Sequence, residues 1–219
     1  MNNEVKNENI EICRKCGGMC CKKSGCDYSA NDFLDVSYEG LYNELKKGDK
    51  SIVCYMSFNE GSNGKYTYQP FLYLRARNKN RDIIDLISIK TGCALLQANG
   101  CSFSYEDRPS GGKNLTPVKK SEGPCTPVVD PMDIVNTWKP YQKILQRLVS
   151  RFTGMSFDKK IRMDVEQLFY EVLTEKFFGV SKIELEDIKG FSVLLARTFP
   201  NELANANKRY SNIKVLVRK

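Results

Sequence analysis

Eight of the nine cysteines fall into two groups, Cys13, Cys16, Cys20, Cys21 and Cys26 within fourteen residues, then Cys93, Cys101 and Cys125 farther along the chain. The opening run CRKCGGMCCKKSGC contains a C-x-x-C step with small residues behind it, which lets two thiolates converge on one ion without straining the backbone. Thiols this dense call for metal or disulfides. Disulfide frameworks belong mostly to short secreted chains with a signal peptide, and the start MNNEVKNEN has no basic stretch followed by an apolar one. The expectation is therefore a cytosolic, cytoplasmic protein with metal-bound thiolates. No apolar run is long enough to span a membrane.

Histidine is absent from all 219 residues. That excludes two-cysteine, two-histidine zinc fingers, His-ligated catalytic zinc, Cys-His nucleophile pairs and Ser-His-Asp triads. The sites must be all thiolate or thiolate plus oxygen, which suits zinc or an iron–sulfur cluster and disfavours copper(II) and magnesium. Eight cysteines allow two sets of four, three-plus-one sharing or a bridged binuclear site. Adjacent Cα atoms lie about 3.8 Å apart, so the vicinal Cys20 and Cys21 are expected to serve different metals or different corners of one centre. The early group has more thiols than one centre uses and the later group has one too few for a closed site, so the two groups are expected to meet in space. Cys54, within the apolar run SIVCYMSF, is expected to be a packing residue instead of a ligand.

The second group also carries a family signature. TGCALLQANGCSFSYEDRPSGGK, together with the C-x-x-C-x-x-x-C-C opening, resembles the YkgJ family of cysteine-cluster proteins, described as zinc- or iron-chelating domains. Cys93, Leu96, Gly100, Cys101, Tyr105, Glu106, Arg108 and Pro109 stand at the family's places. The family commonly has a further cysteine three residues after the proline; this chain has Gly112, with Cys125 as the candidate substitute. The resemblance covers about residues 10–130 and implies metal ions as the ligand, not a defined reaction. Flagellin lysine methylases look like distant relatives through a similar cysteine pattern, which keeps open an enzyme acting on a protein substrate or partner.

Around such a centre, Arg108 is suited to hydrogen-bond thiolates or a nearby carboxylate, while the side-chain-free Gly111 and Gly112 allow their N–H groups to approach sulfur. Phe71, Tyr73, Arg75 and Arg77 share one face of a strand. An aromatic and basic face can bind nucleic acid, but a half-buried strand face is the favoured reading.

The elements that must position these residues suit an α+β chain: an irregular, cysteine-rich, metal-organised portion with a small antiparallel sheet (residues 10–130), then a helical portion (131–219). Ser29 and Ser37 read as helix caps, with a short helix from Ser37 ended by Gly48. Residues 51–58 and 65–77 read as a hairpin with Pro70 at an edge, and 85–90 as a short strand delivering Cys93. Asp130 before Pro131 starts a helix that Pro140 kinks or restarts; further helices are expected over 161–178 and from the S-K-I-E box at Ser181. The tail from Asn205 reads as a final strand or a frayed end. The formal charge of +8 is mostly in the later part, with 18 basic and 16 acidic residues up to Asp130, then 16 and 10.

Overall fold

The computed structural model describes residues 26–62, 64, 66–79, 81–88, 92–98, 100–104, 106–114, 129–174 and 182–217. Along the described chain, Ser29 caps a single 3-10 turn, Ala30–Asp32: its Oγ accepts from Asn31 N–H while Asp32 accepts from the Ser29 N–H. Helix α1, Tyr38–Lys46, begins at Ser37, whose Oγ accepts from Gly40 N–H, and the chain leaves it through Gly48 at φ +80°. A residue with a side chain pays for that backbone conformation, and glycine does not.

Strands β1 (Lys50–Glu60) and β2 (Tyr66–Ala76) are neighbours, and β3 (Ile84–Asp85) lies on the far side of β1, parallel to it, with Ile52 opposite Ile84 and Val53 opposite Asp85. The sheet is thus mixed, which corrects the expected antiparallel sheet. The chain leaves β2 beside the start of β1 and crosses to the other edge before β3, so β3 runs with β1. Among the described residues the expected strand over 85–90 is reduced to this short pairing; residues 89 and 90 lie outside them. Two further short strands, β4 (Leu96–Gln97) and β5 (Gly100–Cys101), form an antiparallel pair.

The helices follow: α2 (Ser110–Asn114), α3 (Pro131–Asn136), α4 (Gln142–Thr153), α5 (Phe157–Thr174), α6 (Lys182–Thr198) and α7 (Pro200–Val217). Asp130 caps α3 by accepting from Met132 N–H, and Pro131 fills its first turn, where no N–H is missed. Pro140 lies in a 3-10 turn, Lys139–Tyr141, which restarts the chain into α4. The tail is neither strand nor frayed end: Pro200 opens α7, and Phe199, Glu202 and Ala206 are buried at helical spacing. The cap expected at Ser181 lies outside the described residues. No helix among the described residues is long and apolar enough to cross a membrane.

The chain forms two compact units that are interleaved in sequence. The first is drawn from Met1–Ser51, Tyr73–Ile83 and Lys90–Tyr141, the second from Ile52–Leu72, Ile84–Ile89 and Gln142–Lys219, so β1 and β2 contribute to both. In the second, Leu145, Leu148, Ile161, Val165, Leu168 and Leu195 make a helical core. Gln142 straps α4 to β2 by accepting from Leu72 N–H and donating to Leu72 O, both at 2.8 Å. In the first, Leu41, Leu45, Leu74 and Ala76 are buried with Trp138, which is 0% exposed. Trp138 packs edge-on to Phe33 and Tyr141, and its indole N–H donates to Tyr28 O at 2.7 Å. Replacing Trp138 with Phe keeps the ring but strands a buried carbonyl, which costs about 1–3 kcal/mol. Denaturant unfolding followed by circular dichroism should record that loss; an unchanged midpoint would show that the bond does not matter.

Candidate metal centre

Cys26 opens a three-residue segment that extends the ribbon. Ala76 N–H donates to Cys26 O at 2.8 Å, Tyr28 N–H donates to Leu74 O at 2.9 Å, and Asp27 bridges to Arg75 between them. The pairing is locked by an ion pair, Arg75 Nε to Asp27 Oδ1 at 2.6 Å, with the Arg75 guanidinium also donating to the Tyr73 hydroxyl at 2.9 Å. Tyr73 and Arg75 are both buried. The face read as aromatic and basic is therefore an internal one at these two positions.

Cys93 joins at the continuation of the same strand. Lys79 N–H donates to Gly92 O at 2.9 Å and Ala94 N–H to Arg77 O at 2.7 Å, bringing Cys93 opposite Asn78. Gly92 takes φ +88° to make this turn. Beyond it, Cys101 pairs with Leu96 in the β4–β5 ribbon. Backbone pairing, starting from one strand end, thus gathers three cysteines from both sequence groups into the first unit.

Their electrostatics record the proximity. Burial pushes the Cys26 thiol far up, and charge on Cys93, Cys101 or Asp27 would push it further, while Arg108 pulls the other way. Burial likewise raises Cys93; Leu95 N–H, which donates to its sulfur at 3.4 Å, opposes this, Cys101 adds to it, and Leu96 N–H and Arg75 oppose it. N–H groups aimed at sulfur and flanking arginines are what a buried thiolate needs, and a cation would supply the remaining compensation.

The glycines expected near the centre are there for closeness. Gly111 N–H donates to Asp27 O at 2.8 Å, not to sulfur, and a Cβ on Gly111 would lie 2.6 Å from that oxygen. A Cβ on Gly112 would lie 2.6 Å from Cys26 Sγ. Helix α2 is fixed there by Ser110, whose N–H and hydroxyl donate to Asp32 at 2.9 and 2.6 Å. Asp27, Arg75 and the Leu95 and Leu96 amides were not among the residues expected to support the sulfurs. Only the adjacency of Asp27 to Cys26 hinted at any of them.

Cys13, Cys16, Cys20, Cys21 and Cys125 lie outside the described residues. Among the described residues, no three cysteine, aspartate or glutamate side chains stand together closely enough to hold an ion unaided. Cys26, Cys93 and Cys101 sense one another's charge without forming such a group, and thiols are donors suited to a thiophilic metal. Cys54 belongs to the second unit. Part of the residue reaches solvent, but its thiol is buried, and that burial pushes its pKa up to about 12 against a small opposing effect from the Phe71 backbone. The chain matches no protein-family model, no curated protein and no solved structure.

Two predictions follow from these positions. Gly112→Ala should reduce metal content, because its methyl meets Cys26 Sγ, whereas Cys54→Ala should leave metal content unchanged at a cost of about 1 kcal/mol; metal analysis of both purified variants decides. Cys54 also gives a pH signature. Its folded pKa is raised, so the stability it confers is intact below the unfolded value of 9.0 and is lost as pH rises toward about 12. Cys54→Ala should therefore lose stability less steeply across that window, as read by urea midpoints.

Proposed function

We propose that this chain is a YkgJ-like metal-binding protein that holds zinc or an iron–sulfur cluster through cysteine thiolates drawn from both groups. The observation that supports this reading is the charge coupling of Cys26 to Cys93 and Cys101 within the first unit, with a Gly112 Cβ excluded by Cys26 Sγ at 2.6 Å. Buried neutral thiols need no amide directed at sulfur and no arginines beside them. A bound metal would neutralise the thiolates and displace their protons, which burial alone opposes.

Within this reading, Cys26, Cys93 and Cys101 are ligands, and Cys13, Cys16, Cys20, Cys21 and Cys125 supply the rest. Arg108 and Arg75 offset negative charge, and the Leu95 amide fixes the Cys93 sulfur. Both candidate centres take four thiolates, so the chemistry of the ligands does not separate them.

The test is anaerobic purification followed by metal and acid-labile sulfide analysis. Iron with stoichiometric sulfide identifies a cluster, and zinc without sulfide a zinc site. A Cys93→Ala, Cys101→Ala double variant should lose metal. Metal-free wild-type protein after anaerobic purification and reconstitution, or undiminished stoichiometry in the double variant, would refute the reading.

A further inference from the structure

Between Asp133 and Asp158 the chain has no acidic residue, although 26 of its 219 residues are Asp or Glu. The basic residues of that stretch are Lys139, Lys143, Arg147 and Arg151, each four positions after the one before. Like charges four apart on a helix oppose its formation. The packing of the second unit does not ask for them: α4 gives Leu145, Leu148 and Val149 to the core, while Lys143, Arg147 and Arg151 are exposed.

Helix α4 carries those three cations on one side, because a step of four residues advances about 6 Å along the axis and turns about 40° around it. The row is therefore about 12 Å long. A cleft of about 680 Å³ lies against it, lined by Lys143 and Arg147 and by the neutral hydrogen-bonding side chains of Gln146 and Ser150. Pro70 of β2 and Phe157 at the start of α5 form its apolar side. Asp158 is the one carboxylate on its wall, and the Arg162 guanidinium, one turn farther along α5, senses that charge and offsets it. None of these residues belongs to the unit that holds Cys26, Cys93 and Cys101.

The form of the row separates the ligand classes. Three cations spread along a helix cannot close on one small anion, and they match an anion whose charges also stand in a row. A helix that lies on lipid presents large apolar side chains beside its cations, and among the described residues none of the exposed large apolar side chains is on α4. Nucleic-acid phosphate and sugar oxygens are met by Arg, Lys, Ser and Gln side chains, the set found here. A guanidinium has five N–H donors, so it can hold a neighbour and a phosphate together. Unpaired bases need an open ring to stack on, and Phe157 is 8% exposed. We infer that this face of α4 binds the sugar–phosphate backbone of a nucleic-acid duplex without regard to base sequence. The inference goes beyond the metal reading and does not depend on it.

The test is fluorescence anisotropy of a labelled, mixed-sequence DNA duplex titrated with the full chain, as purified, over a series of salt concentrations, with metal content and melting temperature measured on the same samples. Binding should weaken as salt rises, because each phosphate contact releases counterions. A Lys143→Gln, Arg147→Gln, Arg151→Gln triple variant should bind about tenfold more weakly at low salt, and its slope of log affinity against log salt should be shallower by about 2.7, which is about 0.9 for each cation removed. Lys143→Gln alone should make the slope shallower by about 0.9. A Lys46→Gln, Lys189→Gln, Lys208→Gln control removes the same charge from exposed lysines of α1, α6 and α7 and should leave binding within about twofold. Metal content and melting temperature should not change in any of them. Absence of duplex binding at low salt, an unchanged slope in the triple variant, or an equal loss in the control would overturn the inference. So would a strong preference among duplexes of different sequence, or tighter binding to polyglutamate or to phosphatidylserine vesicles than to the duplex.

Discussion

The pairing of residues 26–28 with the end of β2 is the constraint on which the first unit depends. Two backbone bonds and the Asp27–Arg75 ion pair fix this segment, and two other parts of the chain, residues 110–111 and 137–138, then bond to it and to the turn that follows it. Gly111 donates to Asp27 O, Trp138 donates to Tyr28 O, Thr137 receives the Ala30 N–H at 2.8 Å, and Asp32 holds Ser110. The bonds to Trp138 and Gly111 are made to backbone carbonyls, so they read position and not side-chain identity. A shift of one residue in this register would turn Cys26 to the other face and misplace every one of them.

The same pairing makes the thiols costly. A buried cysteine is harmless as a thiol, but three within electrostatic reach cannot ionise together without positive charge nearby. Arg75 and Arg108 supply part of it, and Arg75 is itself half spent on Asp27. The fold has accepted an internal ion pair and closely packed glycines beside these thiols. Such a region gains more from an added cation than a conventional core would.

What was legible in the sequence was local chemistry. Ser29, Ser37, Gly48, Asp130 and Pro131 act where their side chains or backbones suggested, because a cap or a left-handed turn is settled within four residues. The helix expected over 161–178 from apolar spacing is found from Phe157 to Thr174, starting a turn earlier, with residues 175–178 outside the described residues. The spacing through Leu145, Leu148 and Val149 is that of Gln142–Thr153. The errors came where distant partners decide. β3 runs parallel because of where the chain crosses after β2, which no alternation in residues 85–90 encodes. The tail continues α7 as helix, with Asn205 and Arg209 donating to Glu166 and Gln167 on α5, although its composition is mixed and basic. The spacing puts Arg75 on a half-buried strand face, but its partner could not be named because Asp27 is forty-eight positions away.

Gly112 shows how a departure from a family pattern can be physical. The resemblance puts a cysteine at this position, yet here Cys26 Sγ occupies the space where a Cβ would begin, at 2.6 Å. A side chain at 112 would meet Cys26 Sγ where it now sits, so on the proposed reading the fourth sulfur comes from another segment. On that reading Cys125 and the four earlier cysteines are the thiols left for the role once Cys54, in the second unit, is set aside. On the proposed reading the glycine is not a missing ligand but room for the Cys26 sulfur, and sharing of ligands between the two cysteine groups would follow from packing as well as from number.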